Sequence, residues 1–124
     1  MIELKANKDE GIINLKVLGK LEESDFTEKI GPVADDIIDD QGKIKGLVLD
    51  VTEFRGWGGL TALLEHFRFV RHHHIYVRKV ALLGDKTWQS TLPRIAQLFV
   101  NAQIKYFESG GDEDVEKWIQ SEKE

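Results

Sequence analysis

The chain has 124 residues and a mass of 14.2 kDa, the size of one ordinary domain, here residues 1–124. With 41% hydrophobic and 31% charged residues it reads as globular, and the lack of Cys excludes disulfides, thiolate metal sites and a Cys nucleophile. The net charge of −5 argues against non-specific nucleic-acid binding. The opening run MIELKANKDEGIINL has an early acid and no long apolar core, unlike a signal peptide. No stretch approaches the roughly 18 apolar residues of a membrane span. A cytoplasmic protein is expected, or one held peripherally at the inner face of the membrane.

The charge is unevenly spread. Between Arg55 and Lys105 there are eight basic and two acidic residues, a net +6; the rest of the chain carries nine basic and twenty acidic residues, a net −11. A basic middle in an acidic protein points to one face made for an anionic partner, the plainer alternative being that helix surfaces differ in charge.

In chain order, residues 2–5 read as a short strand, turning at Asn7 to Gly11. Ile12, Ile13, Leu15, Val17 and Leu18 form a second β-rich run ending at Gly19. Ser24 is the expected N-cap of a first helix whose apolar positions are Phe26, Ile30, Val33, Ile37 and Ile38. Gly31-Pro32 should kink it, Gly42 should end it, and Asp35, Asp36, Asp39 and Asp40 give it a solvated face. The near-continuous apolar run Gly46 to Val51 predicts a strand covered on both faces. A Gly-rich turn from Phe54 to Gly59 leads to a helix from about Leu60 to His73. Val77 to Leu83 is a further apolar strand, and Asp85 and Thr87 should cap a helix from Trp88 to about Asn101, bent by Pro93. Gln103 to Phe107 is the last strand, and Asp112 should cap a final helix burying Val115, Trp118 and Ile119. The order β-β-α-β-α-β-α-β-α predicts an α/β fold: a mixed, mostly parallel sheet of four to five strands with four helices.

This order, with the segments GLVLDVTEFRGW, GLTALLEHF, ALLGDKTWQ and IKYFE, resembles the STAS domain and, within it, a bacterial SpoIIAA-like group. The resemblance covers nearly the whole chain and implies a STAS-like sheet with helices packed against it. The group is also similar in fold to CRAL-TRIO lipid-carrier domains, which implies a small apolar or lipid-like ligand. In SpoIIAA-type switches the turn after the third strand reads roughly Asp-Ser-Ser-Gly-Leu and is phosphorylated on its first Ser. Aligning Gly59-Leu60 with that Gly-Leu leaves Gly56, Trp57 and Gly58 before it, with no hydroxyl to phosphorylate.

The turn Gly56-Trp57-Gly58-Gly59 fits neither the P-loop nor the dinucleotide fingerprint. It reads as a tight strand-to-helix connection or as an anion cradle at a helix N-terminus. Trp57 between glycines either plugs a pocket or touches a partner. In the following helix Leu60, Leu63, Leu64, Phe67 and Val70 form one apolar stripe. Phe69 falls on the other side beside His73, with Arg68 off the stripe and Arg71 near its end. Arg55, Trp57, Arg68, Phe69, Arg71, His73 and Arg78 are therefore the candidate membrane or partner surface.

A ligand pocket is expected among Trp57, Leu64, Phe67, Trp88, Leu92 and Phe99, with a single packed core as the alternative. His72-His73-His74 does not read as a metal site, because adjacent side chains diverge whether in helix or strand. It would instead gain positive charge as pH falls. No Ser lies in a nucleophile elbow, and His66 and Asp50 are the sole candidates for a base and its orienter. The expectation is a non-enzyme without cofactor or metal. It would be a binding module meeting an anionic membrane or an acidic protein, with no nucleic acid, and an exposed first strand would allow a homodimer.

Overall fold

The computed structural model describes residues 2–19, 24–53, 76–84, 93, 102–108 and 110–121. Five strands form one sheet in sequential order: β1 (Ile2–Asn7), β2 (Ile12–Val17), β3 (Gly46–Asp50), β4 (Lys79–Gly84) and β5 (Gln103–Glu108). β1 and β2 are an antiparallel hairpin, and β2, β3, β4 and β5 run parallel. This is the mixed, mostly parallel sheet that the pattern predicts. Two helices are seen among the described residues, α1 (Gly31–Gln41) and α2 (Asp112–Gln120). The helices expected at about 60–73 and 88–101 fall outside them.

The two faces of the sheet carry separate apolar clusters. Alternation along the strands sends Ile13, Leu15 and Val17 of β2, Leu47 and Leu49 of β3, and Val80 and Leu82 of β4 to one face. There they meet Ile30, Ala34 and Ile37 from the helical run that follows β2. Ile12, Val48, Ala81, Leu83 and Phe107 point the other way and meet Val115 and Ile119 of α2. β3 and β4 are covered on both faces, so their sequences read as unbroken apolar runs rather than alternating ones.

α1 is preceded by a π-helical turn, Asp25–Ile30. Pro32 stands at the start of α1; it has no N–H to donate and its ring crowds the preceding turn. The backbone widens there instead of breaking, so the irregularity expected at Gly31-Pro32 takes the form of a loosened turn. Ser24 lies inside the helical run and is not its cap. The helix stops at Gly42, which takes φ +76° and donates its N–H to the Ile38 carbonyl at 2.7 Å. Asp35, Asp36, Asp39 and Asp40 are exposed or half-exposed, and Asp36 pairs with Lys8 at 2.9 Å.

α2 begins one residue earlier than a cap at Asp112 would place it. Gly111 is the N-cap without a side-chain bond, and Asp112, Glu113 and Asp114 fill the first turn, where their charge suits the helix dipole. Val115 and Ile119 are buried and Trp118 is half-buried against Phe107, with ring centroids 5.8 Å apart. The helix comes so close to the sheet that a Cβ on Gly46 would lie 2.6 Å from Cγ2 of Ile119. Among the described residues no helix is long and apolar enough to cross a membrane.

Candidate functional site

In parallel sheets the carboxyl ends of the strands, where chains enter their crossovers, are the usual place for a site. Here that end is built from Lys16 of β2, Asp50 of β3, and Thr52 and Glu53 just beyond. Register sets Glu3, Lys16, Asp50 and Leu83 side by side across four strands, with Lys5, Asn14 and Val48 in the next row. These rows lie on the α2 face and, with Asp112, line a groove of about 240 Å³.

The groove alternates in charge. Lys16 stands between Glu3 and Asp50 and reaches Glu53 at 2.7 Å. Its hydrogen bond and Coulombic attraction to Glu53, helped by Asp50 and Glu3, raise its pKa above the ordinary lysine value. Asp50 is committed to the turn that ends β3. Its Oδ1 accepts from the Thr52 N–H at 3.0 Å and from the Thr52 hydroxyl at 2.6 Å. That carboxylate shapes the exit of β3, and the Thr52 hydroxyl is held by it. The signal Asp-x-Thr is local and could have been read from sequence. The Lys16–Glu53 pair joins residues far apart in the chain and could not.

Of the expected partner surface, Arg78 is described. It is exposed at the N-terminal end of β4, its N–H donating to the Ile44 carbonyl at 3.0 Å and its own carbonyl accepting from Gln103 at 2.9 Å. That is the opposite end of the sheet from Asp50 and Glu53, roughly 15–20 Å away for strands of this length. Arg55, Trp57, Arg68, Phe69, Arg71 and His73 lie outside the described residues, as do all the expected pocket residues (Trp57, Leu64, Phe67, Trp88, Leu92 and Phe99) and His66.

One basic residue of the middle segment is not available to any partner. Lys79 is 7% exposed, and its ammonium donates to the carbonyls of Trp118 at 2.8 Å and Ser121 at 2.5 Å. It closes the C-terminal end of α2, where free carbonyls favour a cation. Lys105 is exposed and lies 5.3 Å from the Phe107 ring centroid.

Among the described residues no group of His, Asp and Glu is placed to hold a metal ion. The SpoIIAA-like family matches residues 12–120, which takes in the second strand through α2. Comparison with curated proteins gives no match.

Proposed function

The chain belongs to the SpoIIAA-like family, and from that premise we propose that it is a non-catalytic regulatory binding module whose partner is an acidic protein. The observation that carries this reading is the division of charge. Both described helices are acidic on their exposed sides, with Asp35, Asp36, Asp39 and Asp40 on α1 and Asp112, Glu113, Asp114 and Glu116 on α2. Segment 55–105 keeps its positive excess even after Lys79 is set aside as internal. An acidic body with one basic segment selects an acidic partner by attraction there and repulsion elsewhere. With Gly56, Trp57 and Gly58 where a switch serine would stand, binding is not governed by phosphorylation at that turn.

A second reading is favoured by Trp57 and Phe69, two aromatic residues among the arginines. In it Arg55, Arg68, Arg71 and Arg78 face anionic headgroups, each contributing about 1 kcal/mol near such a surface, and the two rings insert at the interface. The pocket among Trp57, Leu64, Phe67, Trp88, Leu92 and Phe99 would then take a small apolar or lipid-like ligand.

Flotation with neutral and anionic vesicles, at low and high salt, separates the two. Under the protein-partner reading the chain does not float. Flotation with anionic vesicles alone, lost in salt and in Phe69→Asp, would replace that reading with the membrane one. Arg68→Lys and Arg71→Lys sharpen the result, because a membrane accepts either cation whereas a protein groove that binds guanidinium in a forked geometry does not.

A further inference from the structure

β1 is an edge strand, with no strand among the described residues on its outer side. It pairs with β2 through six consecutive residues, Ile2 to Asn7, without a bulge, and contains no proline. Bulges and prolines are two of the devices by which edges are usually blunted, and this edge has neither. Glu3, Lys5, Ala6 and Asn7 are exposed, and Leu4 is half-buried against the α1-side core.

The order Glu-Leu-Lys makes this edge complementary to itself. When two copies of β1 meet antiparallel about a two-fold axis at Leu4, each Glu3 faces Lys5 of the second copy, and each Ile2 faces Ala6. Sliding by two residues in one direction sets Glu3 against Glu3. Sliding by two in the other sets Lys5 against Lys5. Sliding by one turns the apolar face of one copy to the polar face of the other. One register alone satisfies both charge and face.

We propose that β1 is a homodimer edge: two copies of the chain join antiparallel through it, Leu4 against Leu4 and Glu3 against Lys5, into a continuous ten-stranded sheet. Glu3 and Lys5 also line the charged groove, so the grooves of the two copies meet across the junction. A pairing of five residues from each copy, Ile2 to Ala6, buries little area, so the association is reversible and concentration-dependent. It is independent of the acidic partner proposed above.

Sedimentation velocity of the full chain over a concentration series tests it. The expected result is a monomer–dimer equilibrium. Glu3→Lys and Lys5→Glu should each be monomeric, because the favoured register then opposes like charges. An equal mixture of the two should regain the dimer, since positions 3 and 5 are then both basic on one copy and both acidic on the other. The charge-exchanged double variant Glu3→Lys/Lys5→Glu should dimerise by itself. Glu3→Lys also brings a cation beside Lys16, so thermal unfolding is followed for each variant, and Lys5→Glu, opposite Asn14, is the gentler of the two. A wild-type chain that stays monomeric over the whole series overturns the proposal. So do single variants that dimerise like wild type, or folded variants whose mixture stays monomeric.

Discussion

The ammonium of Lys79 lies 5.3 Å from the centroid of the Trp118 ring while donating to the carbonyl of that same residue at 2.8 Å. Strand β4 is thereby tied to the last turn of α2 by the charge buried at that contact. Replacing Lys79 by Met keeps the stem and removes the ammonium, leaving the Trp118 and Ser121 carbonyls without this donor. The expected cost is about 1–2 kcal/mol. Chemical denaturation should show a lower midpoint at unchanged slope, and amide exchange should quicken in α2 before the central strands.

Gly46 and Ile119 set how closely α2 approaches the sheet. Gly46→Ala adds a Cβ at 2.6 Å from Cγ2 and 3.0 Å from Cδ1 of a fully buried side chain. The expected loss is about 1–3 kcal/mol from overpacking. Ile119→Ala alone should cost about 2–5 kcal/mol by leaving a cavity. The double variant should lose less than the sum, because the new methyl enters the space that Ile119 vacates. Additive losses in a double-mutant cycle would mean that the two residues do not share that space.

Lys16 and Glu53 predict a pH effect of definite sign. The folded-state pKa of Lys16 is raised, so its contribution is fully present below the unfolded lysine value and is lost as pH rises through the folded one. Both side chains are open to water, so the effect on stability is small and is better read from the titration itself. NMR of the lysine side chains should place the Lys16 midpoint above the ordinary lysine value, and Glu53→Gln should bring it down toward that value.

The strands were the most legible part of the sequence. Apolar runs at Gly46–Val51 and Val77–Leu83 appear as β3 and β4 because both faces of the sheet are covered there, which removes the alternation that exposed strands show. Helix starts were less so: Ser24 and Asp112 have capping chemistry, yet one lies inside its helix and the other in the first turn. Capping depends on backbone torsion, which residue type biases without fixing.

In the candidate site, the Asp50–Thr52 turn has a local signature, whereas the ladder Glu3–Lys16–Asp50 exists through the pairing of three strands. The burial of Lys79 was illegible for a related reason. A lysine at a strand start is ordinarily exposed, and nothing near it in sequence announces that a helix terminus about forty residues later will need its charge.

The central proposal is that the basic segment 55–105 meets an acidic protein. The most direct measurement is quantitative affinity capture from lysate with wild type, Arg68→Glu/Arg71→Glu and, as a control with a charge change of equal size elsewhere, Asp36→Lys/Asp40→Lys. The predicted result is one dominant acidic partner held by wild type and by the α1 control, and lost from the arginine variant while it remains folded. Equal capture by the arginine variant would contradict the account.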